Sequence, residues 1–255
     1  MFEPASMPQD LGDIMLQGIR LGRMAYRRLF TLTSILAFLG LIPTAVQTWG
    51  VRDQVSFDFQ TLEAWAQQFT PAYDATGLAV VVAGLLLHAL LIRRIDAAAR
   101  GQSGPVEAEL QRAAKAWPWM TLALIVYTIA VCVGLILLLV PGVILAVSLM
   151  FWMFGVVLEG HKPVEALNSS HHLVWGHWWR TLGMLAMVYL PLLILMSIVA
   201  SMLGIGPSDL DAPLRGRDIF SEAVLEMVLF AVFGPFIYSI LYVYYQDLKL
   251  RKRPA

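Results

Sequence analysis

From residue 116 to residue 158 the chain carries no Asp, Glu, Lys, Arg or His. At about 1.5 Å of rise per residue such a run would extend roughly 65 Å as one helix, about twice the thickness of a bilayer's hydrocarbon core. It must therefore reverse direction. Pro141 and Gly142 lie near its middle and are the residues expected to turn it, because proline offers no N–H and glycine accepts positive φ. The expected product is two spanning helices joined by a tight turn.

The remainder of the chain reads the same way. Hydrophobic residues make up 58% of it, charged residues 14%, and the mean hydropathy of +0.69 leaves no share for a soluble domain. Residues 29–51, 75–92, 181–208 and 227–246 are free of Lys, Arg, Asp and Glu. With the central run they predict six spans, near 29–49, 75–95, 118–139, 143–159, 181–204 and 224–245, in one integral membrane domain over residues 1–255. The runs do not alternate apolar with polar, which excludes a β-barrel. Cys132 is the sole cysteine, so no intrachain disulfide forms. No uninterrupted apolar stretch precedes residue 29, and a cleaved signal peptide is not expected.

Charge gives the orientation. Of the 18 Lys and Arg residues, 15 fall in the N-terminal segment, the loops between spans 2 and 3 and between spans 4 and 5, and the C-terminal tail. Arg52, Arg215 and Arg217 are the others, among Asp53, Asp58, Glu63, Asp74, Asp209, Asp211, Asp218 and Glu222. The excess of cations beside short loops predicts that both termini are cytoplasmic.

Two segments of the cationic side repeat. Pro105-Val106-Glu107-Ala108 and Pro163-Val164-Glu165-Ala166 are each followed by tryptophans and a Thr-Leu that opens a span: Trp117, Trp119 and Thr121-Leu122, then Trp178, Trp179 and Thr181-Leu182. A weaker version precedes span 1 at Tyr26, Phe30 and Thr31-Leu32. The expected architecture is all-α: six transmembrane helices as three hairpins, each preceded by an in-plane amphipathic helix. The expected inward faces are Leu11, Ile14, Met15, Gly18 and Ala25; then Val106, Leu110, Ala113 and Trp117; then Val164, Leu167, Val174 and Trp178. Those faces rest either on the membrane surface or on the ends of the bundle. A fourth such face is expected at Leu62, Trp65, Ala66 and Phe69.

The stretch from Val133 to Ala146 around Leu138-Leu139-Val140-Pro141-Gly142, with Val156-Val157-Leu158-Glu159, Ala166-Leu167-Asn168-Ser169-Ser170 and Leu173-Val174-Trp175-Gly176, resembles the YciC family of bacterial inner-membrane proteins. It is also similar to the membrane domain that accompanies some glycerophosphoryl diester phosphodiesterases. The resemblance implies a bacterial cytoplasmic membrane and an envelope-related role, and carries no catalytic residue with it.

Few residues suggest chemistry. His171, His172 and His177 cluster, but two metal ligands on one helix face need a spacing of three or four, and theirs is one, five and six. With Trp178, Trp179 and Trp152 they are candidates for interfacial or ligand contacts. No carboxylate or amine occupies the middle of a span, which weighs against ion-coupled transport. No phosphate loop, dinucleotide fingerprint or nucleophile elbow is present, and no basic face suits nucleic acid. The expected protein is not an enzyme, takes no cofactor or metal, and organises membrane lipids or partner proteins. The alternative is a small transporter of an apolar or lipid-like solute.

Overall fold

The computed structural model describes residues 7–50, 71–102, 105–204 and 216–252, without the side chains of 46–50, 71–75 and 216–219. The fourth amphipathic face expected at Leu62–Phe69 lies outside them. The described residues form helices and no strand: α1 (Leu11–Gly50), α2 (Pro71–Ala99), α3 (Val106–Leu137), α4 (Leu139–Leu149), a single turn α5 (Trp152–Phe154), a π-helical turn (Gly155–Glu159), α6 (Pro163–Val174), α7 (Trp178–Met202) and α8 (Gly216–Lys252). Among the described residues six stretches are long and apolar enough to cross a membrane, with α4, α5 and the π-turn together making the fourth. The protein is an all-helical, multi-pass membrane protein.

The helices sort into two compact units. One takes in residues up to Phe30, Leu85–Val188 and Pro235 onward; the other takes in Thr31–Gly84 and Tyr189–Gly234. In the first, Ile14, Leu21, Leu91, Ile95, Met120, Phe151, Met184 and Tyr244 are fully buried or nearly so. Phe154 stacks on Tyr245 with ring centroids 5.1 Å apart, and Phe151 packs on both Tyr244 and Tyr245. Gly18 permits α1 to lie against α8, since a Cβ there would sit 2.5 Å from Cα of Ile240. In the second unit, buried Thr33 donates its hydroxyl to the carbonyl of Ala231, 3.1 Å away. Its apolar side chains Phe38, Leu78, Leu193 and Ile194 are exposed, as a lipid-facing surface requires.

The central hairpin turns three residues earlier than the sequence suggests. Leu138 alone is extended, with φ −163° and ψ 142°, and α4 begins at Leu139. Pro141 thus occupies the first turn of α4, where its missing N–H is no loss. Gly142 is helical, and its role is close approach rather than positive φ. A Cβ at Gly142 would lie 2.6 Å from the backbone nitrogen of Leu135, and one at Gly134 would lie 2.9 Å from Cα of Gly142. The two glycines face each other across the reversal, and Tyr127 closes the hairpin further along through the carbonyl of Ala146 at 3.4 Å.

The amphipathic segments meet different fates. Residues 11–27 and 106–117 continue unbroken into the spans that follow, whereas Pro163–Val174 is a separate helix. On α1 the expected face is inward, with Ile14, Gly18 and Ala25 buried. On α3 it is turned. Val106 and Leu110 are exposed while Glu109, Ala113 and Ala116 are buried, because Glu109 pairs with Arg94 at 2.5 Å and that contact faces the bundle. On α6, Leu167 and Val174 are buried within the protein and Val164 is exposed, so this helix rests on its own bundle.

Candidate functional site

All described cations of the sequence's positive side belong to the first unit, and most of its buried acids are spoken for. Asp247 is 3% exposed and accepts from the Gln9 amide at 2.7 Å and from Arg251 Nε at 2.7 Å, with Arg180 at 3.5 Å. Both guanidinium groups also donate to the Gln9 carbonyl. Two cations on one carboxylate leave this node with surplus positive charge. Glu159, at the end of the π-turn, accepts from the Tyr245 hydroxyl at 2.5 Å and Lys249 at 2.6 Å, with His161 at 3.4 Å. Asp96 on α2 holds Arg100 at 3.0 Å and accepts from the Tyr242 hydroxyl at 2.8 Å. The carboxylate raises the Arg100 pKa further above its ordinary range.

Ser170 fixes α6 over a break in the fourth span. The helix is interrupted at Met150 and Phe151, which leaves the Ser148 carbonyl and the Phe151 amide without intrahelical partners. Ser170 Oγ donates to the first at 2.9 Å and accepts from the second at 3.0 Å. Pro163 starts α6, and the Glu165 carboxylate accepts from the Lys162 amide at 3.3 Å, closing its N-terminus.

Beyond α6 the chain makes an abrupt turn. Trp175 is extended and Gly176 adopts φ +88°, a left-handed conformation that side chains other than glycine resist. Residues Trp175 to Arg180 line an open cleft of about 490 Å³. Trp175 and Trp179 are 57% and 79% exposed, so two indoles project where a polar surface would ordinarily end. Trp178 meets Trp179 edge-on, with centroids 4.8 Å apart. Lys252 reaches the rim from the end of α8 and donates to the Trp175 carbonyl at 2.8 Å. Burial, then the positive charges of Lys252, Arg251 and Arg180, hold the His177 pKa below its ordinary value, with Asp247 opposing. Two donors on the cleft-lining residues, Trp178 Nε1 and Arg180 Nε, are buried with no acceptor among the described residues.

Of the residues singled out in the sequence, the fold brings His177, Trp178 and Trp179 into this cleft. His171 and His172 contact each other on α6 at 6.1 Å, and His171 lies 5.0 Å from Trp175, at the cleft's edge. Trp152 is 3% exposed and packs on Tyr127. It belongs to the core. Among the described residues no group of three or more His, Cys, Asp or Glu is placed to hold a metal. Sequence reasoning counted Arg180, Arg251 and Lys252 only as topological charges. Their convergence on His177 depends on α8 ending beside the turn after α6, some seventy residues earlier in the chain, and no local signal carries it.

The fold and this cleft define a class: a multi-pass helical membrane protein with an aromatic, cationic recess at the turn between α6 and α7. A family model for a domain of unknown function, DUF7847, matches residues 29–248, and the chain belongs to that family. No curated protein and no solved structure matches it.

Proposed function

We propose that this chain is a non-enzymatic protein of the bacterial cytoplasmic membrane that organises anionic lipid at its cytoplasmic face. The observation that carries this reading is the recess at Trp175–Arg180, where exposed indoles and surplus cations meet in one place. Tryptophan rings favour the headgroup level of a bilayer, and clustered Lys and Arg draw anionic lipid. The likeness of residues 133–176 to the YciC family supports the bacterial inner membrane, and the sidedness of the cations supports cytoplasmic termini. Membrane proteins or lipids are the partners this reading implies, with no cofactor.

Extraction of the full chain in polymer-bounded native discs tests it. Lipid in the discs should be enriched in anionic phospholipid over the bulk membrane, and a composition equal to bulk would refute the reading. Sidedness is checked separately after replacing exposed Cys132 by Ser. A cysteine introduced at position 100 or 171 should react with a membrane-impermeant maleimide only in inverted vesicles. Reaction in intact cells would reverse the topology.

A further inference from the structure

We infer that the Trp175–Arg180 recess seats the phosphate headgroup of a single anionic phospholipid. This rests on the lipid-organising reading above and assigns it a site. Three observations converge on the same few residues. The first is space: the recess measures about 490 Å³ and is open. The second is sign. Arg180 lines the recess, Lys252 donates to the Trp175 carbonyl on its rim, and Lys252, Arg251 and Arg180 all act electrostatically on His177, with Asp247 the opposing acid among the described residues. The surplus positive charge favours an anion, and Lys252 is tied to a neutral carbonyl rather than to an acid.

The third observation selects an acceptor. Trp178 Nε1 and Arg180 Nε belong to residues lining the recess, both are buried, and neither finds an acceptor among the described residues. Unpaired buried donors are rare and costly, and both of these atoms can only donate. A phosphate offers several strong acceptor oxygens and negative charge together. The flanking rings of Trp175 and Trp179, more than half exposed, supply the apolar walls that a glycerol backbone and the start of acyl chains would cover. A free phosphate would satisfy the donors and leave the indoles in water, so the geometry favours a lipid.

Native mass spectrometry of the full chain, delipidated and then titrated with phosphatidylglycerol or phosphatidylcholine in detergent, tests the assignment. One phosphatidylglycerol should be retained per chain in preference to phosphatidylcholine. Lys252→Gln should weaken that retention about fivefold, the usual loss for one basic residue at a charged lipid surface. Trp179→Ala, at a side chain 79% exposed and so tolerable to the fold, should weaken it by a similar factor. Arg100→Gln removes another exposed cation, on a different element, and should leave retention unchanged. An equal loss in Arg100→Gln would reduce the effect to bulk charge and overturn the site. Displacement of the lipid by inorganic phosphate at millimolar concentration would overturn the choice of lipid. If neither Lys252→Gln nor Trp179→Ala changes retention while native discs remain enriched in anionic lipid, the recess is excluded and the broader reading survives. Bulk composition in the discs would remove both.

Discussion

The two Pro-Val-Glu-Ala segments begin alike and end differently. Thr121 lies thirteen positions after Ala108, and Thr181 lies fifteen after Ala166. Each threonine returns its hydroxyl to the carbonyl four residues back, at 3.1 Å, so both spans are entered in the same way. What precedes that entry is not the same. The first copy runs through as one helix, α3, while the second spends its two extra residues on the Trp175-Gly176 turn, frees α6 as a separate element and opens the recess. The lesson is that the candidate site arises from an inserted turn. Tryptophan stands before the span in both copies, and in the second it borders a cleft.

Each copy is anchored by an ion pair, and the largest expected effect separates the two anchors. Glu109 holds one guanidinium, that of nearby Arg94; Asp247 holds Arg251 and Arg180 and accepts from the Gln9 amide. Removing one partner of a buried pair strands the other's charge. Asp247→Ala should cost about 3 kcal/mol in detergent, at the lower end of the range for such losses because Arg180 and Arg251 are each about a fifth exposed. Glu109→Gln should cost less, since one cation rather than two is left unpaired. Unfolding midpoints that fall equally for both would show that the distant anchor is no stronger than the local one.

The next effect concerns the faces of the two copies. Fifty-eight residues before Ser170 stands Arg112, which is exposed, whereas Ser170 is 2% exposed and serves two backbone groups. Ser170→Ala should cost about 2 kcal/mol, the usual range for stranding buried polar partners. Arg112→Ala should stay within about 0.5 kcal/mol, as exposed substitutions do. Equal losses would mean that α6 is not held by Ser170.

The spans were legible because a residue run without charge has one stable fate in lipid, and the six stretches found match the six expected. The turn was misplaced because Pro141 and Gly142 are the stronger punctuators, yet the packing of Gly134 against Gly142 lets the chain reverse at Leu138, which has no special backbone chemistry. The apolar stripe at Val106 and Leu110 misled for a different reason. In a bilayer an apolar side chain loses little by facing outward, so a buried Arg94–Glu109 pair decides the rotation. His177, Trp178 and Trp179 could be singled out from their place at the entry to a span, and they line the cleft. Lys252 and Asp247 were not, since their partners lie far away in the chain and their own surroundings read as an ordinary basic tail.

A smaller effect reverses between the copies. Gly176 holds φ +88°, and a Cβ there would meet nothing closer than Lys252 Nζ at 3.9 Å, so the cost of Gly176→Ala is conformational. About 1 kcal/mol is expected, the penalty of a left-handed alanine. The first copy has no counterpart to this inserted turn; Ala116 lies in the unbroken interior of α3, where Ala116→Gly should cost a similar amount by loosening the helix. Paired melting curves in detergent check this. A stabilised Gly176→Ala would mean that the turn can close into a continuous helix as in the first copy.

The smallest effect is a dependence on pH carried by the second copy alone, where His177 stands sixty residues after Trp117. Burial first, then Lys252, Arg251 and Arg180, depress its pKa below the ordinary 6.5, against Asp247. The unfolded chain therefore takes up a proton more readily than the folded one, and stability contributed by neutral His177 is present above that pH and lost as the pH falls below it. His177→Gln should remove this contribution, so its melting temperature should decline less than that of the native chain between about pH 7 and pH 5.5. Added phosphatidylglycerol should act in the same direction on the native protein, because an anion in the recess offsets the cations and lets the imidazole protonate at less cost. Superimposable pH profiles of the native chain and His177→Gln, with and without that lipid, would show that the cations do not act on the recess. The two copies would then differ in shape alone.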